Sequence, residues 1–181
     1  MNILIPIEIA SRELLYKNYL CHKLALNGFN CYLGSKSNIS FLMQNFENYI
    51  YLDKGYHRGV SDRLYKTIQQ QNGFIISLDE EGGVDYPNSR ILKQRYAEPF
   101  LNATELIFLW GEKQYKLIEN ILHDSKKVII SGHPRFELLK PTYRYLYEEE
   151  VNTIKAEHGD FILINTNLGS GNNIKGDDFV I

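Results

Sequence analysis

The feature that most constrains this chain is a rhythm of short apolar runs separated by helix-length stretches, at about 25 residues per strand and helix. The runs are Asn2 to Ile7, Cys31 to Leu33, Tyr49 to Leu52, Phe74 to Leu78, Glu105 to Trp110 and Val128 to Ile130. They are short, rich in β-branched and aromatic residues and near-continuous in apolar character, as strands buried on both faces of a parallel sheet must be. Between them, Leu14, Leu15, Leu20, Leu24 and Leu26 give the first connecting helix a broad apolar face, with Gly28 placed to end it. Lys36 to Phe46, Asp62 to Gln71, Ile91 to Leu101 and Lys113 to His123 supply the other helices, with Pro99 expected to disturb the end of its own. The pattern predicts an α/β, Rossmann-like doubly wound parallel sheet over residues 1–140.

Beyond Pro141 the character changes. Tyr143 to His158 reads as a charged, tyrosine-rich linker helix, and Phe161 to Ile164 as a strong strand followed by the polar turn NTNLGSGNN. Residues 159–181 are therefore expected to begin a second, nucleotide-binding-type domain, with a seventh strand of the first sheet as the alternative.

The chain carries a net charge of -2, with 44% hydrophobic and 23% charged residues, so bulk charge points to no nucleic-acid partner. Cys21 and Cys31 have no metal-ligand spacing and read as small buried hydrophobes. The N-terminus lacks the basic flank and long apolar core of a signal peptide. No apolar run approaches the ~20 residues that span a bilayer. A cytoplasmic chain is expected, with peripheral attachment at the inner face of the membrane left open.

In such a sheet, ligands bind beyond the carboxyl ends of the strands. The fourth run stops in three adjacent acids, Asp79, Glu80 and Glu81, which repel one another unless water, a cation or a polar substrate lies against them. Gly82 and Gly83 then permit a sharp turn. Glu8 follows the first strand, and His133 with Arg135 follows the sixth. Acid, imidazole and guanidinium at one edge suit transfer to a hydroxyl, with a carboxylate as general base and the cations on a leaving phosphate. Each has a plainer alternative: Glu8 as a cap of the first helix, His133 as a cap of the next, Arg135 as an ion-pair partner, Asn165 and Asn167 as turn formers. No GxGxxG follows the first strand, and GxxxxGK[ST], GxSxG and HExxH are absent, which argues against NAD oxidoreductases, P-loop NTPases, α/β-hydrolases and zinc proteases.

ILIPIEIASREL, LDEEGG, FLWG and SGHPRFELL, with FILINTN near the end, resemble bacterial surface carbohydrate biosynthesis proteins, which look like inverting glycosyltransferases of the GT-B fold. DEEG is also similar to the Asp/Glu-Asp/Glu-Gly motif of bacterial sialyltransferases and Kdo transferases, and GHP to their HP motif. The resemblance implies the N-terminal, acceptor-side domain of a two-domain enzyme whose C-terminal domain is missing, so that this stretch alone would be inactive. It implies a base among Asp79, Glu80 and Glu81, and binding roles for Glu8, His133, Arg135, Asn165 and Asn167. Glu80 or Glu81 is favoured as base, being nearer the glycine turn. The implied donor is a nucleotide sugar, CMP-linked in the nearest motif. The acceptor is a glycan or lipid-linked glycan, and neither a cofactor nor a metal is implied. SGHPRFELL is equally similar to the GxPRxD stretch of CDP-alcohol polyol-phosphate transferases. A non-catalytic α/β interaction module is the rival from outside enzymology.

Overall fold

The computed structural model describes residues 1–81, 94–122 and 124–164. The chain divides into two compact units, Met1–Thr142 and Tyr143–Ile181.

In the first unit β1 (Asn2–Ile7), β2 (Asn30–Ser35), β3 (Tyr49–Asp53), β4 (Phe74–Leu78), β5 (Thr104–Leu109) and β6 (Val128–Ile130) form an all-parallel sheet in the order β2-β1-β3-β4-β5-β6. Helices α1 (Ala10–Leu26), α2 (Lys36–Met43), α3 (Ser61–Gln70), α4 (Glu98–Ala103) and α5 (Glu112–Ile118) connect them, and a short α6 (Pro134–Glu137) follows β6. The fold is α/β and doubly wound in the Rossmann-like manner. β1 pairs with β2 from Asn2↔Asn30 and with β3 from Asn2↔Tyr49, so strand order reverses at β1. Because parallel crossovers are right-handed, the step from β1 out to β2 puts α1 on one face of the sheet, and the steps back across it put α2 to α5 on the other.

The apolar core lies on the α2 to α5 side. Leu4, Tyr49, Tyr51, Ile75, Ile107 and Leu109 of the strands pack against Ile39, Met43, Tyr65, Ile68, Phe100 and Ile118 of the helices. Much of the tyrosine content is thus structural, filling space while hydroxyls reach polar partners, as Tyr49 does on Gln71 at 2.7 Å.

The α1 side corrects the sequence reading. Leu14, Leu15 and Leu26 are exposed, while Glu13, Tyr16 and Lys17 are buried. Polar pairing sets this orientation. Glu13 accepts the backbone N–H groups of Glu8 at 3.1 Å and Ile9 at 3.3 Å, closing the entry to α1, and Lys17 donates to the Pro6 carbonyl at 2.8 Å. A helix fastened by these bonds to the end of β1 cannot also turn Leu14, Leu15 and Leu26 inward, whereas Leu20 and Leu24, on the side of Tyr16 and Lys17, are half-buried. Its far end is a Schellman closure, in which Gly28 and Phe29 N–H groups return to Ala25 and Leu24 carbonyls with Gly28 at φ 84°.

Smaller differences have local causes. α2 stops at Met43 and α5 at Ile118, where a 3-10 turn over Glu119–Ile121 takes over. Pro99 lies in the first turn of α4, where its missing N–H costs nothing, rather than near a helix end. The first part of the helix expected from Ile91 lies outside the described residues.

Tyr143 to His158 is not one helix. Pro141–Tyr147 is a 3-10 run, and the α-helix α7 begins at Glu148 and ends at His158. The switch falls where Glu148, Glu149 and Glu150 fill the first helical turn and favour the positive end of the dipole. Residues 161–164, expected as a strand, form none: they have no ladder partner among the described residues and are exposed. An apolar run is a strand only when another strand satisfies its backbone. Among the described residues no helix is long and apolar enough to cross a membrane.

Candidate functional site at the carboxyl edge of the sheet

The sequence-predicted acids at the tip of β4 divide into three different environments. Asp79 is a structural hub. Its carboxylate accepts from Arg95, from Tyr96 hydroxyl at 3.3 Å, from Gln114 Nε2 at 3.2 Å and from the Glu81 N–H at 3.0 Å. Its carbonyl takes the Trp110 indole N–H, and Trp110 N–H in turn donates to Gln114 Oε1 at 2.8 Å. These bonds tie β4, β5 and α5 together just where the sheet ends.

Glu80, only 3% exposed, points the other way, under α1. Its N–H is held by the Lys54 carbonyl at 3.1 Å. Oε1 accepts from the Tyr16 hydroxyl and lies 3.4 Å from the Lys17 ammonium, which also bonds Glu13 at 2.7 Å. Oε2 faces His133 Nε2 at 3.5 Å, and neither of these two buried atoms makes a hydrogen bond. Burial pulls the Lys17 ammonium below its ordinary range, with Glu13 opposing.

His133 is buried between two rings, Trp110 at 4.7 Å and Tyr16 at 5.0 Å. Its Nδ1 accepts the Arg135 N–H at 3.2 Å, capping α6, so a neutral ring carries its proton on Nε2, toward Glu80. Arg135 lies over the rings of Trp110 and Phe136, at 5.9 and 5.1 Å. The structure therefore brings Glu80, His133 and Arg135 into one neighbourhood, with His133 in the capping role that was its alternative.

Glu81 is the exposed member of the trio. It rims a small polar cleft between the tips of β3 and β4, which Asp79 and Glu80 also line and whose other walls are Lys54, Gly55, Tyr56, His57 and Arg95. Gly55 has φ 137°, a backbone that favours glycine, and a Cβ there would stand 3.6 Å from Asp79 Oδ1.

Glu8 does not cap α1; the N–H groups of Glu8 and Ile9, just before the helix, are held by Glu13. Glu8 pairs instead with Lys36 at 2.9 Å and with Lys54, across the tips of β1, β2 and β3. At the end of β3, Asp53 is buried and accepts from Tyr65 hydroxyl at 2.6 Å and Gly55 N–H at 3.2 Å. Gly82, Gly83, Asn165 and Asn167 lie outside the described residues.

Sequence reasoning missed Glu13, Tyr16, Lys17, Lys54, Asp53 and Trp110. One signal was available: Glu13 and Lys17 stand at i, i+4 spacing among leucines. Among the described residues no group of three or more His, Cys, Asp or Glu could hold a metal ion. Comparison with known protein families, with curated proteins and with solved structures found no match to this chain in any of the three.

Proposed function

We propose that this chain is the acceptor-side domain of a GT-B glycosyltransferase of bacterial surface polysaccharide synthesis. In this reading it transfers a sugar, Kdo or sialic-acid-like, from a nucleotide donor to a hydroxyl of a glycan acceptor. The observation that carries the reading is the division of the acidic trio. Asp79 is held by four donors and Glu80 is buried under α1, which leaves Glu81 as the exposed carboxylate on a polar cleft at the carboxyl edge of a doubly wound sheet.

An exposed carboxylate there can take the proton of an acceptor hydroxyl as its oxygen attacks the anomeric carbon. The bond from that carbon to the nucleotide phosphate breaks, and the nucleotide leaves with the electron pair. Attack from the face opposite the leaving group inverts the anomeric centre. Arg95 lines the cleft but is bound to Asp79, and Arg135, held over the Trp110 and Phe136 rings, is a further guanidinium at this edge of the sheet for an anionic partner.

The test is transfer by the full-length gene product with a panel of nucleotide sugars, including CMP-linked ones. Glu81→Gln is expected to lower turnover by roughly 10²- to 10⁴-fold, as for loss of a general base, with donor affinity little changed. Turnover near the wild-type level in that variant would remove the base from Glu81. Absence of transfer or donor hydrolysis with every nucleotide sugar would overturn the enzyme reading itself.

A further inference from the structure

The strand order reverses at β1, and the crevice above that point is where doubly wound sheets take ligands. Here the crevice holds an ion triplet. Lys36, at the start of α2 beyond β2, and Lys54, just beyond β3, reach in from either side and close on the carboxylate of Glu8 above β1. Each Glu8 oxygen meets one ammonium, Oε1 with Lys36 at 2.9 Å and Oε2 with Lys54.

We propose that Lys36 and Lys54 form a seat for a small oxyanion of a soluble ligand, a phosphate or carboxylate group, and that Glu8 occupies this seat in the free chain. Charge supports the assignment. Each ammonium meets one oxygen of the single Glu8 carboxylate, so a phosphate dianion in its place would match both cations. Lys54 is built into the fold, with its side chain only 14% exposed, whereas that of Glu8 is 40% exposed. Burial pulls the Lys54 ammonium below its ordinary range, and the charge of Glu81 opposes this, so Lys54 stands between two acids.

Glu8 can leave without disturbing the strand. Its backbone N–H is held independently by Glu13 Oε2 at 3.1 Å, so the side chain can swing outward while the end of β1 stays in place. Lys36 also opens α2, and Ser35 caps it by accepting the Asn38 N–H at 3.2 Å, so the partial positive charge of that helix end faces the same edge. The seat does not depend on the glycosyltransferase reading.

Calorimetric titration of the 181-residue chain with inorganic phosphate and, separately, with acetate tests it. Glu8→Gln removes an intramolecular competitor and is expected to tighten binding of at least one of the two anions by about tenfold over wild type. The better probe identifies the seat as one for phosphate or for carboxylate. Adding Lys36→Met or Lys54→Met to Glu8→Gln should abolish the gain. Lys36 is half exposed, so its variant keeps the test decisive even if the Lys54 variant fails to fold. No tightening in Glu8→Gln with either anion, or a gain that survives loss of Lys36, would overturn the proposal.

Discussion

Glu13 and Asp53 are both buried carboxylates close to the ends of neighbouring strands, yet they are held in opposite ways. Burial works to raise the pKa of Glu13, but Lys17 and Arg12, with the Ile9 N–H, outweigh it and hold the carboxyl below its usual range. Burial also works on Asp53, whose partners are the Tyr65 hydroxyl and the N–H groups of Gly55 and Lys54; there burial wins and pushes the carboxyl up to about 6. Loss of water is common to the two. What differs is a cation in direct contact with Glu13 and a deeper desolvation of Asp53, and together these reverse the sign with which each acid enters stability.

The comparison is broken most violently at Lys17. Lys17→Met leaves Glu13 and Glu80 buried without their shared cation, and unfolding by urea should show a loss of roughly 3–5 kcal/mol, as when a buried pair loses one member. A loss under about 1 kcal/mol would mean that water reaches these acids and that the pairing is incidental.

Asp53 gives the next effect, of opposite sign. Its folded value lies above the ordinary aspartate value, so between about pH 4 and 6 the native state binds more protons than the unfolded chain, and this group's contribution falls as pH rises. Asp53→Asn should therefore stabilise the protein at neutral pH by at most about 3 kcal/mol and flatten the stability profile across that window. Glu13 contributes the reverse, a stability present at neutral pH and lost as pH falls through its lowered value. An unchanged profile in Asp53→Asn would show that Asp53 is not a buried acid in solution.

The smallest effect sharpens the contrast from the donor's side. Tyr65→Phe removes the 2.6 Å bond to Asp53 and leaves the ring in the core, so it should cost about 1–2 kcal/mol at neutral pH. The loss should be greater above pH 6, where Asp53 is ionised, than below it.

The sheet was legible because strands buried on two faces can hardly be written except as continuous apolar runs, and each of the six proposed runs is a strand. The orientation of α1 was not legible. Its leucines describe a face any isolated helix would bury, and what overrides them is a set of local bonds to Pro6, Glu8 and Ile9 together with the contact to Glu80, which exists only once the sheet is assembled. The acidic trio was visible as a site but not as three roles, because the partners that sort it, Tyr16, Lys17, Arg95, Gln114 and His133, come from distant parts of the chain. Residues 161–164 misled for the complementary reason: local composition has no means of recording whether a partner strand is present.

The bond between Tyr16 and Glu80 spans 64 positions. A chain emerging from the ribosome completes α1 long before β4, so through that interval Glu13 and Lys17 have only their local partners, Tyr16 lacks its acceptor, and Leu14, Leu15 and Leu26 have apolar surface to gain from burial. Early collapse thus rewards the face that ends outside, a local frustration that is relieved when Glu80 arrives and the polar side acquires its full set of partners. The native pose of α1 is in this sense begun by its own neighbours and completed by a residue that did not yet exist when the helix was made.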